Sequence, residues 1–147
     1  MVTGFAFEAR LVHHSITEVI MVTVEQLMAK SLVNMEAGMS AMEAAKLMKI
    51  HKVGSVLVKR DNRIVGIVTE PDIIRKVIGA ERVPYYVRVE EIMSSPLIGI
   101  DWRRPVIEAA DMMEQHRTRH LAVFNGGSVV GVLSVRDLLH PVAIDEL

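Results

Sequence analysis

Two aspartates stand out because each follows a hydroxyl at the same spacing. GIVTEPD carries Thr69 and Asp72; GVLSVRD, 65 residues later, carries Ser134 and Asp137. A hydroxyl followed three residues on by a carboxylate is a capping box, with the hydroxyl at the N-cap of a helix. The same atoms suit a small polar ligand. The free N–H groups of a helix start favour an anion such as phosphate. A carboxylate beside them accepts two hydrogen bonds from a vicinal diol such as ribose offers. Gly66 and Gly131, three residues before each hydroxyl, let another group approach the backbone closely. Capping alone is the commoner use of such a phrase, and the two uses are compatible.

The elements that must hold these residues are themselves duplicated. At the 65-residue offset, VEQLM (Val24–Met28) falls on VEEIM (Val89–Met93), EAAKLM on EAADMM, and His51 on His116. Such self-similarity marks an internal repeat. Within each copy a short helical lead-in precedes an extended run, SLVNM (31–35) or PLIGI (96–100). An amphipathic helix follows, with Ala41, Ala44, Ala45 and Met48, or Val106, Ala109, Ala110 and Met113, on one face. Ser40 and Glu43 cap the first of these helices, and Pro105 opens the second. Each helix ends near its histidine. A strand–turn–strand then turns at Asp61-Asn62 or at Asn125-Gly126-Gly127. A second helix closes each copy, PDIIRKVI (71–78) or the shorter RDLLH (136–140). The order is β-α-β-β-α twice, which predicts an α/β (α+β) fold of two similar lobes. The divisions are an extension over 1–22, a first domain over 23–79, a linker over 80–88 and a second domain over 89–147. TEVIMVTV (17–24) is rich in β-forming residues and suits an added strand or a dimer contact.

Residues 24–140 resemble a tandem pair of CBS (cystathionine β-synthase) domains, together called a Bateman module. The resemblance rests on the β-α-β-β-α order, the VEEIM lead-in, the hairpin and the closing G-h-h-[ST]-x-x-D, all twice in one register. It implies two pseudo-symmetric lobes packed through their sheets, with two clefts that bind AMP, ADP, ATP or S-adenosylmethionine. By position in the family motif, Asp72 and Asp137 hold ribose hydroxyls, and Thr69 and Ser134 contact ribose or phosphate. Adenine sits among Leu32, Val33, Val53 and Gly54, or among Leu97, Ile98, Arg119 and His120. The resemblance also implies a homodimer that acts as a regulatory energy sensor. The alternative is a dimerisation scaffold with empty or vestigial clefts.

The two sites are not chemically equal. HKVGS (51–55) precedes the first hairpin and HRTRH (116–120) the second. Arg119, His120 and, less directly, Arg117 put extra donors near Asp137 that suit phosphate, and His116 suits a polar cap at the helix end first and a phosphate contact second. Pro71 removes one N–H from the first helix start. Arg117 and Arg119 also suit a solvated helix end, where cations favour the dipole.

Other chemistries fit less well. Cysteine is absent from the 147 residues, and net charge is −1. These exclude thiol chemistry and disulfides, and give no electrostatic bias toward nucleic acid or membrane. No run approaches a membrane span and no secretory leader is evident, so a cytoplasmic protein is expected. His13-His14 and the pair His51 and His116 lack converging ligands for a metal. Met42, Met48, Met112 and Met113 are expected in packing; Trp102, Tyr85 and Tyr86 in packing or linker; Arg103-Arg104 on a solvated face. No triad or paired carboxylates appear, so the chain reads as a stand-alone, non-enzymatic module needing no cofactor, with a separately encoded target.

Overall fold

The computed structural model describes residues 22–139. His13, His14, residues 17–21 of the β-forming stretch and His140 lie outside the described residues. In chain order the elements are α1 (Val24–Leu27), β1 (Asn34–Glu36), α2 (Ala41–His51), β2 (Ser55–Arg60), β3 (Arg63–Thr69) and α3 (Glu70–Ile73). The chain continues through a widened π turn at Ile74–Ile78 and a 3₁₀ turn at Pro84–Tyr86. Then come α4 (Val89–Ile92), β4 (Gly99–Asp101), α5 (Val106–His116), β5 (His120–Asn125), β6 (Ser128–Ser134) and α6 (Val135–Leu138).

The strands form two three-stranded sheets of the same order, β1-β2-β3 and β4-β5-β6. In each, the first strand is parallel to the second, and the second antiparallel to the third. The expected β-α-β-β-α order is therefore observed in both copies. Each first strand starts about three residues later than its apolar run. Ladder pairing begins only at Asn34 and Gly99, so Ser31 and Leu32 stay exposed. Asp61 and Asn62 both adopt positive φ in the first hairpin turn; in the second only Gly126 does, and Asn125 remains in the strand. The second helix of copy one begins at Glu70, and its later part is the π turn rather than regular helix.

Residues 31–98 form one compact unit. Its core gathers Met35 and Val56, Val58 and Val68 from the sheet, Ala41, Ala44 and Met48 from α2, and Val77, Val87, Val89 and Ile92 from the later segments. Ala45 and Met42 are only half-buried. The Ser40–Glu43 capping box is present, with Glu43 N donating to Ser40 Oγ at 3.2 Å. The 3₁₀ turn leaves Tyr85 and Tyr86 exposed, with the Lys46 ammonium 5.5 Å from the Tyr85 ring centroid.

The other unit, among the described residues, comprises 22–30 together with 99–139. Its buried apolar residues, among those described, are Val24, Ile100, Val106, Ala109, Met113, Leu121, Ala122, Val123 and Leu133. Arg104 forks onto Glu108 with two contacts of 2.8 Å, and Arg103 pairs with Asp101, so this short basic run is a solvated, paired surface.

The compact units are offset from the sequence copies. Helix α1, from the start of copy one, packs with copy-two elements. Val24 N donates to Arg104 O, Glu25 N to Trp102 O, and Val106 N to Val22 O, at 2.8–2.9 Å. Helix α4, from the start of copy two, repeats these bonds among copy-one elements. Val89 N donates to Met39 O, Glu90 N to Ala37 O and Ala41 N to Val87 O. Each unit is thus built from the β-α-β-β-α stretch of one copy and the lead-in helix of the other.

Candidate functional site

Parallel pairing of the first two strands and antiparallel return of the third bring three chain positions to one end of each sheet. In the 31–98 unit these are the start of β1, the start of β2 and the end of β3. Leu32, Val33, Val53, Gly54, Thr69 and Asp72 all cluster there. Val33 O accepts from Leu57 N at 2.9 Å, Val53 N donates to Met48 O at 3.1 Å, and Glu70 N donates to Gly54 O at 3.0 Å. The last bond ties the residue before β2 to the first turn of α3.

The capping box forms as the T-x-x-D spacing requires. Thr69 leaves the strand in an extended conformation. Asp72 Oδ2 accepts from Thr69 N and from Thr69 Oγ1, each at 2.9 Å, and Thr69 Oγ1 accepts from Asp72 N at 3.4 Å. The amides of Thr69, Glu70 and Asp72 therefore have partners within the chain, and Pro71 has no N–H. The free amides expected for an anion are already taken at this helix start. Asp72 Oδ1 also carries a partner, the Lys76 ammonium at 2.9 Å. Lys76 Nζ donates in addition to Ile92 O at 2.8 Å. Sequence reasoning passed over Lys76, although its i,i+4 spacing from Asp72 was a signal for such a pair.

At the second sheet, Ser134 and Asp137 form the same box. Asp137 Oδ2 accepts from Ser134 N at 2.8 Å and from Ser134 Oγ at 3.1 Å, and Ser134 Oγ accepts from Asp137 N at 3.4 Å. Val135 N donates to Arg119 O at 2.9 Å, and His120 is the ladder partner of Ser134. The backbones of Arg119 and His120 are thereby fixed beside the start of α6. Thr118 Oγ1 donates to His120 O at 3.0 Å and braces the turn into β5. Arg136, at the position of Pro71, restores an N–H to the turn. Asp137 Oδ1 has no partner among the described residues.

A cavity of about 410 Å³ opens next to this box, lined by Met113 and Glu114 of α5, Arg117 and Arg119, and Val135 and Leu138 of α6. That size is within the range of small-molecule sites. Arg117 sits in the left-handed conformation (φ 51°) that ends α5. Neither Arg117 nor Arg119 has an ion pair among the described residues. His116 is the exposed last residue of α5 and is not part of the cavity lining. Leu97 and Ile98, which precede β4 in sequence, are grouped with the 31–98 unit.

The two motif glycines do permit close approach, but the approaching group is the chain itself. A Cβ on Gly66 would lie 2.6 Å from Met93 Sδ and 2.9 Å from Ser94 O; one on Gly131 would lie 2.7 Å from Met28 Sδ and 2.8 Å from Ala29 O. Ser94 and Ile67, like Ala29 and Val132, exchange backbone bonds of 2.9–3.1 Å at these places. The glycines thus seat the residues just after each lead-in helix.

Two carboxyls elsewhere are held below the usual carboxylate range. Glu91 is lowered by hydrogen bonds from Arg82 and from the Arg88 amide, and Asp101 by hydrogen bonds from the Arg103 backbone and side chain. Among the described residues no three His, Cys, Asp or Glu side chains gather into a metal site. No helix among them is long and apolar enough to cross a membrane.

The CBS-domain family model matches residues 24–79 and 89–143. An uncharacterised 17.7 kDa protein of Acidianus ambivalens is 33% identical over 117 residues, 78% of this chain and 70% of that protein. Two other archaeal relatives are longer, and the chain spans 62% and 52% of their lengths. Among solved structures, a putative signal-transduction protein with CBS domains from Burkholderia ambifaria superposes with a TM-score of 0.81 at 33% identity, covering 86% of this chain and 97% of that one. The CBS domain protein PAE2072 of Pyrobaculum aerophilum, solved in complex with AMP, superposes at 0.73 with 30% identity, covering 83% and 98%.

Proposed function

The chain belongs to the CBS-domain family, whose members are mainly regulatory and non-catalytic, and on that premise we propose that it is a sensor of adenosine nucleotides. The ligand class is AMP, ADP or ATP, held at the second copy. Asp137 takes the ribose hydroxyls, Ser134 lies beside them, and Arg119, with Arg117 behind it, meets phosphate. Thr69 and Asp72 are the positional equivalents in the first copy. The observation that carries this reading is Asp137 Oδ1, which no described residue contacts, on the same sheet end as Arg119, which has no ion pair among the described residues. The AMP complex of the Pyrobaculum protein supports the ligand class. In this reading the protein works as a homodimer in the cytoplasm, catalyses nothing, and passes ligand state to a separately encoded target. That transmission requires different affinities in two conformations.

The test is a thermal-shift and calorimetric screen of the full chain against AMP, ADP, ATP and S-adenosylmethionine. A ligand at 100 times its Kd stabilises by about 2.7 kcal/mol. Silence from all four at millimolar concentration rejects the proposal. A response to S-adenosylmethionine alone keeps the site and changes the ligand. A second reading, a scaffold with vestigial sites, draws on the same Ser134–Asp137 bonds, since capping alone accounts for Oδ2. Under it, Asp137→Ala lowers stability and no ligand binds.

A further inference from the structure

The two aspartates differ in what their own fold leaves unused. An ionised carboxylate offers about four lone-pair positions. At Asp137, two are taken by Ser134 N and Ser134 Oγ, both on Oδ2, and no described residue takes either position on Oδ1. At Asp72, Thr69 N and Thr69 Oγ1 take the same two on Oδ2, and the Lys76 ammonium takes a third on Oδ1. A vicinal diol needs two acceptor positions converging on it. Asp137 has them on one oxygen, whereas Asp72 has one left.

Lys76 is firmly placed. Its ammonium reaches Ile92 O at 2.8 Å as well as Asp72 Oδ1 at 2.9 Å, and both partners lie in the same compact unit. The Asp72 side chain is 13% exposed and the Lys76 side chain 47%, so the carboxylate end of the pair is shielded from water while the ammonium end is partly solvated. The widened turn at Ile74–Ile78 contains Lys76 and closes with Gly79 N donating to Ile74 O. Such turns recur at functional positions. At the same offset the second copy has Pro141, which carries no cation and cannot play this part.

We propose that Lys76 is an internal ligand of Asp72, closing the first copy to sugar diols and leaving a sensor with one nucleotide site per chain. This rests on the nucleotide reading above and adds the stoichiometry and the residue that sets it. Lys76 acts through Asp72 and is a positioning residue, not a contact of the bound nucleotide.

Equilibrium dialysis of AMP at saturation, on the full chain, reads the result directly. Wild type is expected to hold one AMP per chain, Lys76→Arg one, and Lys76→Met two. At an AMP concentration that just saturates wild type, Asp137→Asn should lose most of its occupancy, and Asp137→Asn/Lys76→Met should return to about one AMP per chain. Two AMP per wild-type chain overturns the inference, and that measurement stands whether or not a variant folds. A folded Lys76→Met that still holds one overturns it too. Absence of binding by every form rejects the nucleotide reading itself, and this inference with it.

Discussion

The two hairpin–helix corners are bonded alike, at 2.9, 2.9 and 3.4 Å in the first copy and 2.8, 3.1 and 3.4 Å in the second. What differs lies outside the repeated phrase. The first corner has Gly54 before its strand, Pro71 in its helix and Lys76 on its carboxylate; the second has Arg119, Arg136 and an Oδ1 that no described residue contacts. A capping box fixes the local backbone and uses half of the carboxylate. In the first corner the other half meets a lysine four positions on; in the second no described residue takes it. Matching phrases in a repeat therefore carry closely similar geometry and unequal surroundings.

The comparison breaks most visibly at the aspartates. Asp137→Asn should weaken AMP binding by roughly tenfold to a hundredfold, since hydrogen bonds to a charged group are worth about 1.5–3 kcal/mol. Isothermal titration checks this, and undiminished affinity would remove Asp137 from the site. Next come the glycines, where the copies should behave alike. Gly66→Ala and Gly131→Ala each force a Cβ onto a backbone carbonyl, and each should cost about 1–3 kcal/mol in urea unfolding. A neutral result at either one would mean that the lead-in segment is not seated there. Smaller again is the cap itself: Thr69→Ala and Ser134→Ala should each lose about 1 kcal/mol. A much larger stability loss at Thr69 than at Ser134 would show that the first corner depends more on its hydroxyl.

The smallest contrast lies between the lead-in helices. At the equivalent position Gln26 caps α1 and Glu91 caps α4, through bonds to Thr23 N at 3.0 Å and Arg88 N at 2.7 Å. Glu91 is depressed below its ordinary value of 4.5, chiefly by the Arg82 hydrogen bond. Its contribution is therefore complete above pH 4.5 and fades as pH falls through the lower folded-state value. Melting curves of wild type and Glu91→Gln should differ modestly near pH 7 and converge in acid. Curves that stay equally far apart at pH 3 would mean that the carboxylate's charge is not involved.

Much of this was legible in the sequence. The offset, the β-α-β-β-α order, the helix ends at His51 and His116, and the two capping boxes all follow from spacing and short-range physics. The placement of Arg119 beside the second box was legible because it directly precedes a strand paired to Ser134. Three features were not. The glycines pointed to close approach but could not say of what, because Met93 and Met28 arrive from a different stretch of chain. The free amides failed because Glu70 N and Val135 N find carbonyls, Gly54 O and Arg119 O, more than a dozen residues back. The boundaries of the packed units escaped because periodicity marks which face of α1 and α4 is apolar, not which sheet will cover it.

That last feature has a consequence for how such a chain can be cut and rearranged. A gene segment spanning one sequence copy from its lead-in onward would carry off a helix that belongs to the neighbouring unit, and would lack the helix its own sheet needs. Graft points at residues 31 and 98 respect the packing, and points at 24 and 89 sever it. Recombination that honours the visible repeat would produce two incomplete halves, which favours transmission of the pair as a single heritable block.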